Sequence, residues 1–145
     1  MKKVTMLLIA LGCLLLSSTS AHAQQALRLG PWEVHYNAFN STLLRAEMAQ
    51  QYGLERSSTL ATINITVLAA DLAGKPAQQV TVSGYSMNPL SQQQRLRFEQ
   101  IIEGNAVYYI AQARFSNLET LRFFITIDDG KQQQTLRFHK EFWAN

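Results

Sequence analysis

From Thr59 onward the apolar residues of this chain recur at every second position, and that period restricts most of it to strands. Side chains on a strand point alternately to opposite faces, so each apolar set marks one buried face. Ala61, Ile63, Ile65 and Val67 alternate with Thr62, Asn64 and Thr66. Val80 and Val82 open the next strand, which Gly84 weakens, and the stretch Leu96-Phe98-Gln100-Ile102 reads as one more. Val107, Tyr109, Ala111, Ala113 and Phe115 follow, then Leu121, Phe123, Ile125 and Ile127, then Leu136, Phe138 and Phe142. Turn signals separate these runs: Gly74 with Pro76, Asn88-Pro89, Gly104-Asn105, Ser116-Asn117 and Asp128-Asp129-Gly130. About seven strands with turns every 8–12 residues predict a mainly β chain, an antiparallel immunoglobulin-like β-sandwich. A small barrel is the alternative closure.

The segment before Thr59 has a different character. Leu27 to Phe39 is extended and broken at Gly30-Pro31, with Trp32, Val34 and Tyr36 on one face and Glu33 and His35 on the other. Asn40, Ser41 and Thr42 are all suited to N-capping. Leu44, Met48 and Tyr52 then recur at helical spacing, and Gly53 stands where a left-handed C-cap is wanted. One short helix near the mature N-terminus is therefore expected, too short to be stable unless it lies on the sheet.

The first residues predict the compartment. Met1-Lys2-Lys3 is cationic, Val4 to Leu16 is almost wholly apolar, and Ala21-His22-Ala23 supplies a small-x-small cleavage pattern. The expectation is a signal peptide over 1–23, cleaved after Ala23, delivering a single domain over 24–145 to the periplasm. The apolar run is shorter than the roughly 20 residues a membrane span needs. Acylation at Cys13 is the competing fate, but Leu14-Leu15-Leu16 continues the apolar run past the cysteine.

Removal of residues 1–23 takes away Lys2 and Lys3 and leaves 11 Lys and Arg against 10 Asp and Glu. A net charge so near zero argues against a nucleic-acid partner. The mature chain has no cysteine, so packing alone must hold it, and thiolate metal sites and cysteine nucleophiles are excluded. Fourteen glutamines, among them Gln92–Gln94 and Gln132–Gln134, provide a polar but uncharged surface.

The run Tyr36-Asn37-Ala38-Phe39-Asn40-Ser41, followed by a short helix ending Gln51-Tyr52-Gly53-Leu54, resembles a family of secreted Gram-negative bacterial proteins. That family is known only as a domain of unknown function, number 4426. The resemblance spans the mature chain and implies a periplasmic β-rich domain without an assigned activity. Two readings of the run stand side by side. In one, Tyr36 and Phe39 cover the sheet where the helix crosses it while Asn37 and Asn40 satisfy loop backbone. In the other, Tyr36, Asn37, Phe39 and Asn40 form a rim that binds a peptide or small ligand.

Other chemistry is sparsely signalled. Glu33-x-His35 and His139-x-Glu141 each place a carboxylate and an imidazole on one strand face; were the first and last strands to meet, the four would make a zinc or copper site. No Gly-x-Ser-x-Gly elbow or Ser-x-x-Lys motif is present, and Asp128-Asp129-Gly130 reads as a hairpin turn, not a calcium loop. In Tyr108-Tyr109 and Phe123-Phe124 one ring faces each way, and Trp143 is expected under the sandwich edge. The expectation is a non-enzymatic module without a cofactor that engages an envelope protein or peptide. Metal or ligand binding at the His35/His139 face is the alternative, and an enzyme ranks below both.

Overall fold

A computed structural model describes residues 24–144; the expected signal peptide and Cys13 lie outside the described residues. The described residues form nine strands: β1 (Gln25–Leu29), β2 (Trp32–Asn40), β3 (Leu60–Ala69), β4 (Thr81–Met87), β5 (Gln93–Leu96), β6 (Glu99–Glu103), β7 (Ala106–Arg114), β8 (Glu119–Asp128) and β9 (Gln133–Phe142). A five-stranded sheet has the order β1-β2-β3-β7-β6 and a four-stranded sheet the order β5-β4-β8-β9, with every pairing antiparallel. Both sheets are open, so the chain is a sandwich and not a barrel.

The core lies between the two inner faces, and the period-two residues fill it. Val34, Ile63, Ile65 and Val67 from one sheet meet Phe123, Ile125, Ile127 and Leu136 from the other, all fully buried. Aromatic rings lock the far end: Phe115 stacks on Phe142 at 5.0 Å between centroids, and Phe123 meets Phe142 edge-on at 6.3 Å.

Nine strands, against about seven expected, come from two places. Leu27–Phe39 is a hairpin, turned at Gly30 with φ +56°, a backbone that favours glycine. Leu96–Ile102 is not one strand: β5 pairs with β4 and β6 with β7, so the chain changes sheets across Arg97-Phe98. Leu96 stays in the core and Phe98 packs against it, while Ile102 is exposed. That crossing closes one side of the sandwich.

The helix is shorter than expected, and its caps are arranged differently. Asn40 caps a single 3₁₀ turn, Ser41–Leu43, its Oδ1 accepting from the Thr42 N–H at 3.2 Å. The α-helix, α1 (Ala46–Tyr52), starts after Arg45 without a side-chain cap and ends at Gly53, whose φ of +65° is the left-handed cap. It lies over the outer face of the five-stranded sheet, where Leu44, Met48 and Tyr52 line a groove with Phe39. Trp143 departs from expectation. The residue is 54% exposed, and its neighbour Phe142 takes the buried place.

Candidate functional site

The side of the sandwich opposite the β5–β6 crossing is open. There β2 and β9, from different sheets, run side by side in the same direction. A Cβ at Gly30 would stand 2.7 Å from Gln134 Nε2, Tyr36 packs on Phe138 at 4.7 Å between ring centroids, and Asn40 Nδ2 donates to the Trp143 carbonyl at 3.2 Å. Between the last two contacts the Lys140 ammonium donates to the Ala38 carbonyl. β1 stops short of this stretch. Its first residue, Gln25, pairs with Tyr36, so Asn37 to Asn40 extend beyond it. The result is a cleft of about 380 Å³ lined by Gln25, Tyr36, Asn37, Ala38, Phe138, His139 and Lys140.

The alternation of β9 places Lys140 there. Leu136, Phe138, Lys140 and Phe142 share the inward face, and the lysine stem lies along Phe142, its Nζ 5.8 Å from the ring centroid. Burial lowers the Lys140 pKa, because a desolvated ammonium is less stable than a hydrated one. Among the described residues no carboxylate forms an ion pair with it.

The four signature residues separate. Tyr36 and Asn37 line the cleft. Phe39 points to the outer face and lines the groove of about 280 Å³ beneath α1. Asn40 is tied to backbone, donating to Ser58 and Trp143 carbonyls and accepting from Thr42. The expected four-residue rim is thus two cleft residues, one groove residue and one cap.

The proposed metal constellation is not assembled. Glu33 and His35 meet on the outer face of β2, Glu33 Oε1 lying 2.6 Å from His35 Nε2 and Oε2 accepting from Lys75 Nζ at 2.6 Å. His139 and Glu141 alternate with the inward residues of β9 and so face outward on the other sheet. The inward-facing core separates the two pairs, and among the described residues no three His, Cys, Asp or Glu side chains converge. Hydrogen bonds from Lys75 and then His35 hold the Glu33 carboxyl below its ordinary range.

A third depression, about 490 Å³, crosses the outer face of the five-stranded sheet beside His35, Thr66, Lys75 and Tyr108. Two buried acceptors on this face, Thr66 Oγ1 and Asn64 Oδ1, have no hydrogen-bond partner among the described residues.

Comparison with known proteins places this arrangement. The sequence model of the family described as "Domain of unknown function (DUF4426)" matches residues 26–145. The crystal structure of a DUF4426 family protein from Pseudomonas aeruginosa is similar with a TM-score of 0.74 at 32% identity, covering 86% of this chain and 98% of that one. FetP of uropathogenic Escherichia coli, expressed recombinantly in the periplasm, has a TM-score of 0.57 at 11% identity, over 85% of this chain and 95% of that one. A copper-bound FetP variant gives the same TM-score and identity, over 85% and 92%. Identity this low extends the likeness to FetP to the fold alone. No curated protein matches the chain.

Proposed function

This chain belongs to the DUF4426 family, and from that premise we propose that it is a periplasmic binding module, not an enzyme, that takes an extended peptide segment of an envelope protein at the β2–β9 cleft. The observation that carries the reading is the stretch of β2 beyond β1. Strand edges left unpaired are natural sites for another strand to add, main-chain bonds supplying affinity and side-chain pockets supplying selectivity. The Ala38 carbonyl on this edge is held by a lysine and not by a strand, a contact an incoming N–H can replace. Tyr36 and Phe138 offer an aromatic floor, and Gln25 offers a polar contact beside it. Signal cleavage after Ala23 would leave the mature chain starting at Gln24, one residue before β1.

The test is a titration of the protein purified from the periplasm with a pool of valine- and threonine-rich hexapeptides, followed by amide NMR. Shifts concentrated at Asn37 to Asn40 and in facing residues of β9 are expected. Shifts confined to the opposite edge at β6, or none at all, would remove the reading.

Metal binding is the second reading, and its support is the copper-bound FetP variant of like fold. The four expected ligands do not fit it, since they lie on opposite outer faces, and among the described residues no other group of three converges. Copper and zinc at saturating concentration are expected to leave the melting temperature unchanged, because only an ion that binds the native state raises it.

A further inference from the structure

We propose that the β2–β9 cleft selects a carboxylate, with the Lys140 ammonium as the group that receives it. The inference rests on the peptide reading above and names the chemistry that reading leaves open.

A cation at this position calls for a reason. Phe138 and Phe142 flank it on the inward face of β9, and an apolar residue there would pack without the cost of partly dehydrating a charge. The lysine's stem already packs as such a residue would, over the Phe142 ring. Its head is therefore the unexplained part. Among the described residues it has no carboxylate partner, and its protein contact is one neutral carbonyl, that of Ala38. An ammonium has three N–H donors, so two remain for a ligand.

The surroundings complete the case. Among the described residues no acidic side chain lines the cleft, and Gln25, which pairs with the inward-facing Tyr36, supplies a neutral amide. The unbalanced charge is thus positive. A partly desolvated ammonium binds a carboxylate more strongly than an exposed one does, because water screens the pair less. The edge of β2 beyond Tyr36, which no described strand pairs, fixes the form of the ligand. A strand that pairs with Asn37 to Asn40 takes the Ala38 carbonyl for its own N–H and releases Lys140 to the carboxylate. That group is either the terminal carboxylate of the segment or an acidic side chain on it; the chemistry is shared.

The experiment separates these sources and the two levels of the argument. Three acetylated tetrapeptides of alternating valine and threonine are compared by calorimetry: one ending in a free acid, one in an amide, and one in an amide with an internal glutamate. Glutarate is the fourth probe. At least one carboxylate peptide is expected to bind about tenfold more tightly than the neutral amide, in line with a charge-assisted hydrogen bond. Which one does so identifies the source. Lys140→Met should abolish the preference, and Lys140→Arg, which keeps the charge, should restore most of it. Equal binding of all three peptides, or a preference that survives Lys140→Met, overturns the carboxylate site and leaves the peptide reading standing. Binding of glutarate but of no peptide keeps the carboxylate site and overturns the peptide reading. Binding of none of the four overturns both.

Discussion

Ser41 and Ser57 are bonded to each other in both directions: the Ser41 hydroxyl donates to the Ser57 carbonyl at 2.9 Å and accepts from the Ser57 N–H at 2.8 Å. The bridge fastens the end of β2 to the approach of β3, across the loop that contains α1. Ser41 is fully buried, although its residue type is usually exposed. The bridge holds the β2 end in place where Asn40 reaches Trp143, and so it fixes one end of the cleft.

Ser41→Ala is accordingly expected to destabilise the protein by about 1–2 kcal/mol, since it strands the half-buried Ser57 N–H and leaves the Ser57 carbonyl with the Leu60 N–H alone. Urea denaturation with an unchanged slope is the appropriate measurement. A loss below about 0.5 kcal/mol, within the range of an ordinary surface change, would show that solvent replaces the hydroxyl.

Gly84 owes its place to close approach. A Cβ there would stand 2.3 Å from the Phe124 carbonyl oxygen and 3.0 Å from the Ile125 Cα, both backbone atoms of the neighbouring β8. Neither can move without disturbing the β4–β8 ladder, in which Gly84 faces Ile125. Gly84→Ala should cost about 1–3 kcal/mol, the usual penalty of overpacking, despite the general gain from replacing glycine in a strand. A thermal melt equal to or above that of the wild type would refute the clash.

Much of the core was legible because burial on a sandwich follows the period of the strand. Ala61 to Val67, Val107 to Phe115 and Leu121 to Ile127 took the faces their alternation assigned, and Tyr109 and Phe123 turned inward while Tyr108 and Phe124 turned out. The change of sheet at Arg97-Phe98 was not legible. Alternation reports which face is buried, and both sheets bury the same face of a strand that passes between them. Trp143 misled for a similar reason, since Phe142 already completes the aromatic end of the core.

The cleft itself left one trace in the sequence. Lys140 occupies an inward position in the series Leu136, Phe138, Lys140, Phe142, and a charge in an apolar register is the kind of local conflict that marks a site. The signature around Tyr36 supplied two of the cleft residues. It also supplied two structural ones, Phe39 in the groove beneath α1 and Asn40 as a cap.

Acid should test the Glu33 network. Its carboxyl is held below the ordinary value of 4.5 by hydrogen bonds from Lys75 and His35, so the unfolded chain takes up the proton first as pH falls. The native state then loses the contribution of the carboxylate as pH drops from about that value through the lowered folded one. Relative to Glu33→Gln, the wild type should be more stable above pH 4.5 and lose that advantage below it. Asp128 and Asp129 are also depressed, by bonds within their turn, but they are common to both proteins and cancel in the difference. Urea melts of the pair from pH 3 to 7 check this, and a difference independent of pH would contradict it.

Thr66 gives the last prediction, and its sign is opposite to that of Ser41. Its Oγ1 is buried without a hydrogen-bond partner, and it stands directly across from His35 in the β2–β3 register, on the face where Glu33 already engages the imidazole. An unpaired buried hydroxyl has lost its water and gained nothing in return. Thr66→Val exchanges it for a methyl group of similar size and keeps the β-branch that suits a strand. The expected outcome is a stability unchanged or raised by up to about 1 kcal/mol, measured by thermal melting in the absence of ligand. A loss greater than about 1 kcal/mol would mean that the hydroxyl has a bonded water in solution, and that the outer face beside His35 is a hydrated polar site, not a dry one.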